Sequence, residues 1–100
     1  MKMSEAAATK QIRDYLKIKK IFHWKNFSTL GSVPGIPDIL GCRTIKCECG
    51  REHGQMIAIE VKRPDGRLST DQKNFLETLT YAGALAFKAE SADDLIKRGL

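Results

Sequence analysis

Residues 59–62 read Ile59-Glu60-Val61-Lys62, and upstream of them stands Gly35-Ile36-Pro37-Asp38. Side chains alternate between the faces of a strand, so residues two apart share one face. Met56, Ala58, Glu60 and Lys62 therefore point one way, and Ile57, Ile59 and Val61 the other. An acid and a lysine on one face at the end of an apolar strand, with a second acid directly after a proline, is the residue set that holds a divalent cation against a phosphodiester. The plain alternative is a pair of strand-end charges, one of them matched to Lys62.

The elements around these motifs follow from periodicity and punctuation. Ser4 is an N-cap for a helix over residues 5–20, with Ala8, Ile12, Tyr15 and Leu16 as its inward stripe. Glu5 lies on the edge of that stripe. A carboxylate in a first turn is favoured by the helix dipole alone, so its position has a structural and a functional reading. Ile21 to Phe27 alternates aromatic and polar residues and reads as a strand. Gly31 to Gly35 is a breaker-rich loop whose small residues would let a phosphate backbone approach. Pro37 to Cys42 is a second strand, residues 43–54 a polar loop or hairpin tip, and Gln55 to Lys62 a third strand. After the turn Pro64-Asp65-Gly66, Ser69 opens a helix to about Ala82, with Phe75, Leu76 and Leu79 inward and Gly83 as its stop. Ser69-Thr70-Asp71-Gln72 is a capping box, and Gln72 also shares the stripe of Phe75, Leu76 and Leu79. Its capping and site-facing readings are equally supported. Leu85 to Lys88 is a final strand, and Ser91-Ala92-Asp93-Asp94 caps a last short helix ended by Gly99. The order α-β-β-β-α-β-α predicts a single α/β (α+β) domain over residues 1–100, built around a small mixed sheet.

Composition narrows the partners. The hydrophobic content of 42% with three prolines is that of a folded chain rather than a disordered one. Residues 1–50 carry nine Lys/Arg against four Asp/Glu, and residues 51–100 eight against eight, so the whole excess of +5 is in the first half. Lys10, Arg13, Lys17, Lys19, Lys20 and Lys25 form a basic segment that suits a polyanion, nucleic acid being the commonest, although a solvated helix face would look the same. Arg63 and Arg67 are further phosphate contacts by type, with solubility as their alternative. Phe22 and Trp24 read as core or interface aromatics, base stacking being the other use of such residues. No apolar run reaches membrane-span length and no signal-peptide layout opens the sequence, so no membrane partner is expected.

Three cysteines clustered between residues 42 and 49 are no secreted disulfide framework, which points to a reducing cytosol. Cys42, Cys47, Cys49 and His53 supply the ligand types of a Cys₃His zinc site. C-x-C is tight for tetrahedral geometry, however, and Cys42 alternatively reads as a small buried residue.

Taken in order, these residues resemble the PD-(D/E)xK nuclease superfamily and, more closely, the virus-type replication-repair nuclease (VRR-NUC) family. The resemblance spans nearly the whole chain. It rests on Glu5, Gly35-Ile36-Pro37-Asp38, Ile59-Glu60-Val61-Lys62, and Gly66-Arg67-Leu68-Ser69 with Gln72. It implies a restriction-endonuclease-like core and a Mg²⁺- or Mn²⁺-dependent DNA endonuclease. Asp38, Glu60, the Val61 backbone carbonyl and Glu5 become metal ligands by this resemblance, and Asp38, Glu60, Lys62, Glu5 and Gln72 the catalytic set. Lys62 would orient or deprotonate the attacking water, or stabilise the developing phosphorane charge. Lys10, Arg13, Lys17, Arg63, Arg67 and Ser69 would contact DNA. Stand-alone members resemble Holliday-junction resolvases acting as symmetric homodimers, so branched DNA is the expected substrate, with flap, nicked or single-stranded DNA as alternatives. The rival reading is a non-catalytic nucleic-acid-binding module with a structural zinc loop.

Overall fold

The computed structural model describes residues 3–27 and 33–100. Seven elements follow in the expected order: α1 (Glu5–Ile18), β1 (Phe22–Lys25), β2 (Ile39–Lys46), β3 (Glu52–Val61), α2 (Thr70–Tyr81), β4 (Leu85–Ala89) and α3 (Ala92–Lys97). The four strands form one sheet in sequence order. β1–β2 and β2–β3 are antiparallel, whereas β3–β4 is parallel, with α2 as the crossover between them.

The sheet has two unlike faces. Ile39, Ile57, Ile59, Val61, Phe87 and Ala89 pack with Ala8, Ile12 and Leu16 of α1 and with Leu95 and Leu100 at the α3 end. The Tyr15 hydroxyl donates to the Leu100 carbonyl and ties α1 to that end of the chain. The other face of β3 carries Ala58 and Glu60, and α2 lies across its β4 side with Leu76 buried. β3 is thus covered on both faces from Ile57 to Val61. That double cover sinks Glu60 into the interior.

Several element ends differ from the sequence reading, each for a local reason. α1 stops at Ile18 rather than residue 20 because Lys20 turns left-handed (φ 58°). Ile21 N–H then donates to the Leu16 carbonyl and Lys20 N–H to Lys17, a Schellman closure. Of the two readings of residues 43–54, the hairpin holds and the loop does not. The β2–β3 ladder runs on to Lys46↔Glu52 as a two-stranded ribbon beyond β1 and β4. Its residues are polar because solvent, not core, lies on either side. Ser91 makes no side-chain cap at α3; Asp94 Oδ2 accepts from Glu90 N–H at 2.8 Å instead.

Candidate active site

Asp38 stands just ahead of β2, and continuing the Ile39↔Ile59 register by one places it opposite Glu60. Each acid's carboxylate accepts from a backbone N–H on the neighbouring strand. Asp38 N–H donates to Glu60 Oε2 at 3.1 Å, and Val61 N–H donates to Asp38 Oδ2 at 3.0 Å. A residue in a ladder presents its N–H and C=O to the same neighbour. The Val61 carbonyl therefore also leaves on the β2 side, where one further step of the register sets Pro37 opposite it. Proline has no N–H to give that carbonyl.

Gln72 reaches the site from the first turn of α2. Its backbone N–H donates to Ser69 Oγ (3.1 Å), its Oε1 accepts from Ser69 N–H (2.9 Å), and its Nε2 donates to Glu60 Oε1 at 2.5 Å. The capping and site-facing readings are not rivals, because the two ends of one amide do both. Gly35 fixes the distance between this helix and the Asp38 loop. Its φ is +80°, and a Cβ there would run into the Asp71 carbonyl and Gln72 N of α2. Gly31 and Ser32, the start of the same loop, lie outside the described residues.

Glu60 is 3% exposed. Burial pushes its carboxyl up to about 7, the nearby Asp38 carboxylate adds to the rise, and Lys62, whose Nζ is 3.8 Å from Oε1, opposes it. Glu60 and Lys62 do share a face, as the alternation predicts. They line a cavity of about 490 Å³ together with Glu5, Ala6, Thr9, Lys25, Asp38, Val61 and Gln72. Glu5 thus faces the cavity, but it is exposed, and among the described residues no three His, Cys, Asp or Glu side chains converge as a metal cluster. Two neighbouring carboxylates and a backbone carbonyl are hard oxygen donors, and a doubly charged cation would offset the repulsion that holds the Glu60 proton. The residues fit such an ion.

Lys25 and Thr9 are site-lining residues that the sequence reading did not assign. Thr9 follows Glu5 by one helical turn and donates its hydroxyl to the Glu5 carbonyl, so the stripe itself marked it. Lys25 was legible only as one cation of the basic segment. Lys10, Arg13, Lys17, Arg63, Arg67 and Ser69 do not line the cavity. Lys10 is engaged by Asp14 at 2.7 Å, and the Ser69 hydroxyl caps α2.

The cysteine readings require correction. Cys47 and Cys49 are bonded to each other at the ribbon tip. Cys42 pairs across with Met56, back where the ribbon joins the sheet, and is exposed rather than buried. Five residue steps of extended chain, about 16 Å, separate it from Cys47, so these side chains and His53 form no Cys₃His site. Among the described residues no group of three such ligands comes together, so the zinc loop of the rival reading gains no support. Phe22 and Trp24 are likewise not core, being 70% and 46% exposed.

The VRR-NUC domain family model matches residues 2–93 of the 100, and the chain belongs to that family. No curated protein and no solved structure matches it. The mixed four-stranded α/β arrangement is that of a PD-(D/E)xK-like core, and membership implies a nuclease that binds DNA. Among the described residues no helix is long and apolar enough to cross a membrane.

Proposed function

We propose that this VRR-NUC chain is a divalent-metal-dependent endonuclease that hydrolyses phosphodiester bonds in branched DNA. The observation that carries the reading is the Asp38–Glu60 pair on the cavity wall, Glu60 buried and Asp38 half-buried beside it, with Lys62 and Gln72 around them. A structural ion pair needs one acid and one base. Here burial, with the neighbouring Asp38 carboxylate adding to it and Lys62 opposing it, raises Glu60 to about 7.

Asp38, Glu60 and the Val61 carbonyl would hold Mg²⁺ or Mn²⁺, with Glu5 approaching from α1. When bound, such an ion supplies a water acidic enough to attack phosphorus and neutralises charge on the phosphoryl oxygens. The chain's own residues do the positioning. Asp38 is held by Val61 N–H, and Glu60 by Asp38 N–H and the Gln72 amide, so both carboxylates are fixed before substrate arrives. The Lys62 ammonium faces the cavity from the Glu60 side and is assigned the charge developing on the phosphoryl oxygens. Gln72 is a positioning residue acting through Glu60. Arg13, Lys17, Arg63 and Arg67 lie outside the cavity and would meet the DNA backbone to either side of the cut, whereas Lys10 is taken by Asp14 and the Ser69 hydroxyl by the α2 cap.

The test is cleavage of four-way, flap, nicked and fully paired DNA with Mg²⁺ and with EDTA. Wild type is expected to cut branched DNA only with metal. Asp38→Ala, Glu60→Ala and Lys62→Ala should remain folded and lose about 10²-fold or more in rate. Cleavage retained by Glu60→Ala, or undiminished in EDTA, would overturn the assignment.

A further inference from the structure

Rows of directly opposed residues share one face of a sheet. The row Trp24–Leu40–Ala58 therefore faces the same way as the row through Asp38 and Glu60, two residues further along. The spacing is about 6.7 Å. Two residues back lies the row Phe22–Cys42–Met56, again on this face, and all three of those side chains are exposed. The Phe22 and Trp24 rings stand 5.7 Å apart at 53°. An aromatic pair thus leads directly away from the carboxylates, along the outermost strand of the sheet.

Positive charge lies at both ends of this strand, although Lys25 and Arg43, one residue out of step with Trp24 and Cys42, start from the opposite face of the sheet, and Arg43 donates to Gln55 Oε1 and the Gly99 carbonyl. At the carboxylate end Lys25 lines the active-site cavity, with its Nζ 4.7 Å from the Phe27 ring. At the far end Lys19, Lys20 and Arg43 line a second cavity, of about 410 Å³, whose wall includes Phe22 and Cys42. Among the described residues no Asp or Glu side chain lines that cavity. A buried protein–protein contact gains from apolar surface with few charges, whereas flat rings between cations suit a strand whose bases stack and whose phosphates pair. Paired bases keep their ring faces inside the duplex, so this platform discriminates for unpaired ones.

We infer that Phe22 and Trp24 form a stacking platform for unpaired nucleotides flanking the scissile phosphate, with Lys19 and Lys20 on the adjoining phosphates. The inference rests on the nuclease reading and specifies it: the branched substrate is one with a single-stranded arm at the cut. Trp24 is the only tryptophan in the chain, so its fluorescence reports on the platform without modification. In EDTA, where nothing is cut, oligothymidylate should quench that fluorescence saturably, and a blunt duplex of equal length should not. Trp24→Leu and Phe22→Leu should each weaken oligothymidylate binding about tenfold, measured by anisotropy of a labelled oligonucleotide. Trp24→Phe should keep most of the affinity, and duplex binding should stay unchanged in all three. An equal quench by duplex, or no quench by either, would overturn the platform. So would concentration-dependent self-association that Trp24→Leu abolishes, because the face would then be covered by a second copy. Intact quenching without cleavage of any DNA would sink the nuclease reading and leave the platform standing; cleavage without quenching would do the reverse.

Discussion

At the scale of single residues, Glu60 concentrates the chemistry. Its folded carboxyl titrates near 7 against an ordinary 4.5. As pH rises between these values the unfolded chain ionises this residue while the folded chain still holds the proton. The unfolded state thus binds fewer protons, and stability falls with rising pH. Urea denaturation of the metal-free protein should show this loss between about pH 4.5 and 7, amounting to at most ~3 kcal/mol from this group. On the proposed function Mg²⁺ would bind the ionised pair, so its addition should stabilise the protein more at pH 8 than at pH 5. Gln72 permits a separation of roles, because glutamate also completes a capping box. Gln72→Glu should keep the α2 cap yet place a third carboxylate against Glu60, costing about 1–3 kcal/mol at pH 8 and much less at pH 5. Equal losses at both pH values would mean that the amide acts on the helix alone.

At the scale of elements, the site depends on how closely the Asp38 loop approaches the start of α2. Gly35 makes that approach, with a positive φ and no space for a Cβ beside the Asp71 carbonyl and Gln72 N. Gly35→Ala should destabilise the fold by about 1–3 kcal/mol, read by urea denaturation. It should also slow cleavage in the fraction that remains folded, because the Gln72–Glu60 contact spans this same junction. Elsewhere helix ends are set locally. Gly83 and Gly99 take the left-handed position after α2 and α3, which the sequence shows, whereas Lys20 does so after α1, which no residue preference signals.

For the whole molecule, the +5 charge does not act as one patch. Lys25 lines the active-site cavity, while Lys10 is held by Asp14 on the outer face of α1. Lys25→Ala should weaken DNA binding and lower its salt dependence by about one phosphate contact, and Lys10→Ala should leave both nearly unchanged. The element order, the alternation that sets Glu60 beside Lys62, and the Gly35–Asp38 motif were all readable because each is a local pattern of period, cap or turn. Three things were not: the burial of Glu60, the double use of Gln72, and the exposure of Phe22 and Trp24. Glu60 is buried because α2 crosses the β4 side of its face, and the two aromatics are exposed because the same helix leaves the β1 side open. Cys42, close in sequence to the bonded Cys47 and Cys49, is parted from them by the length of an extended ribbon. Sequence by itself determined which side chains share a face, since alternation is a property of the backbone. Which faces are covered, and therefore which charges are desolvated and which rings meet solvent, was decided only when the helices docked, because burial depends on packing partners that are distant in the chain.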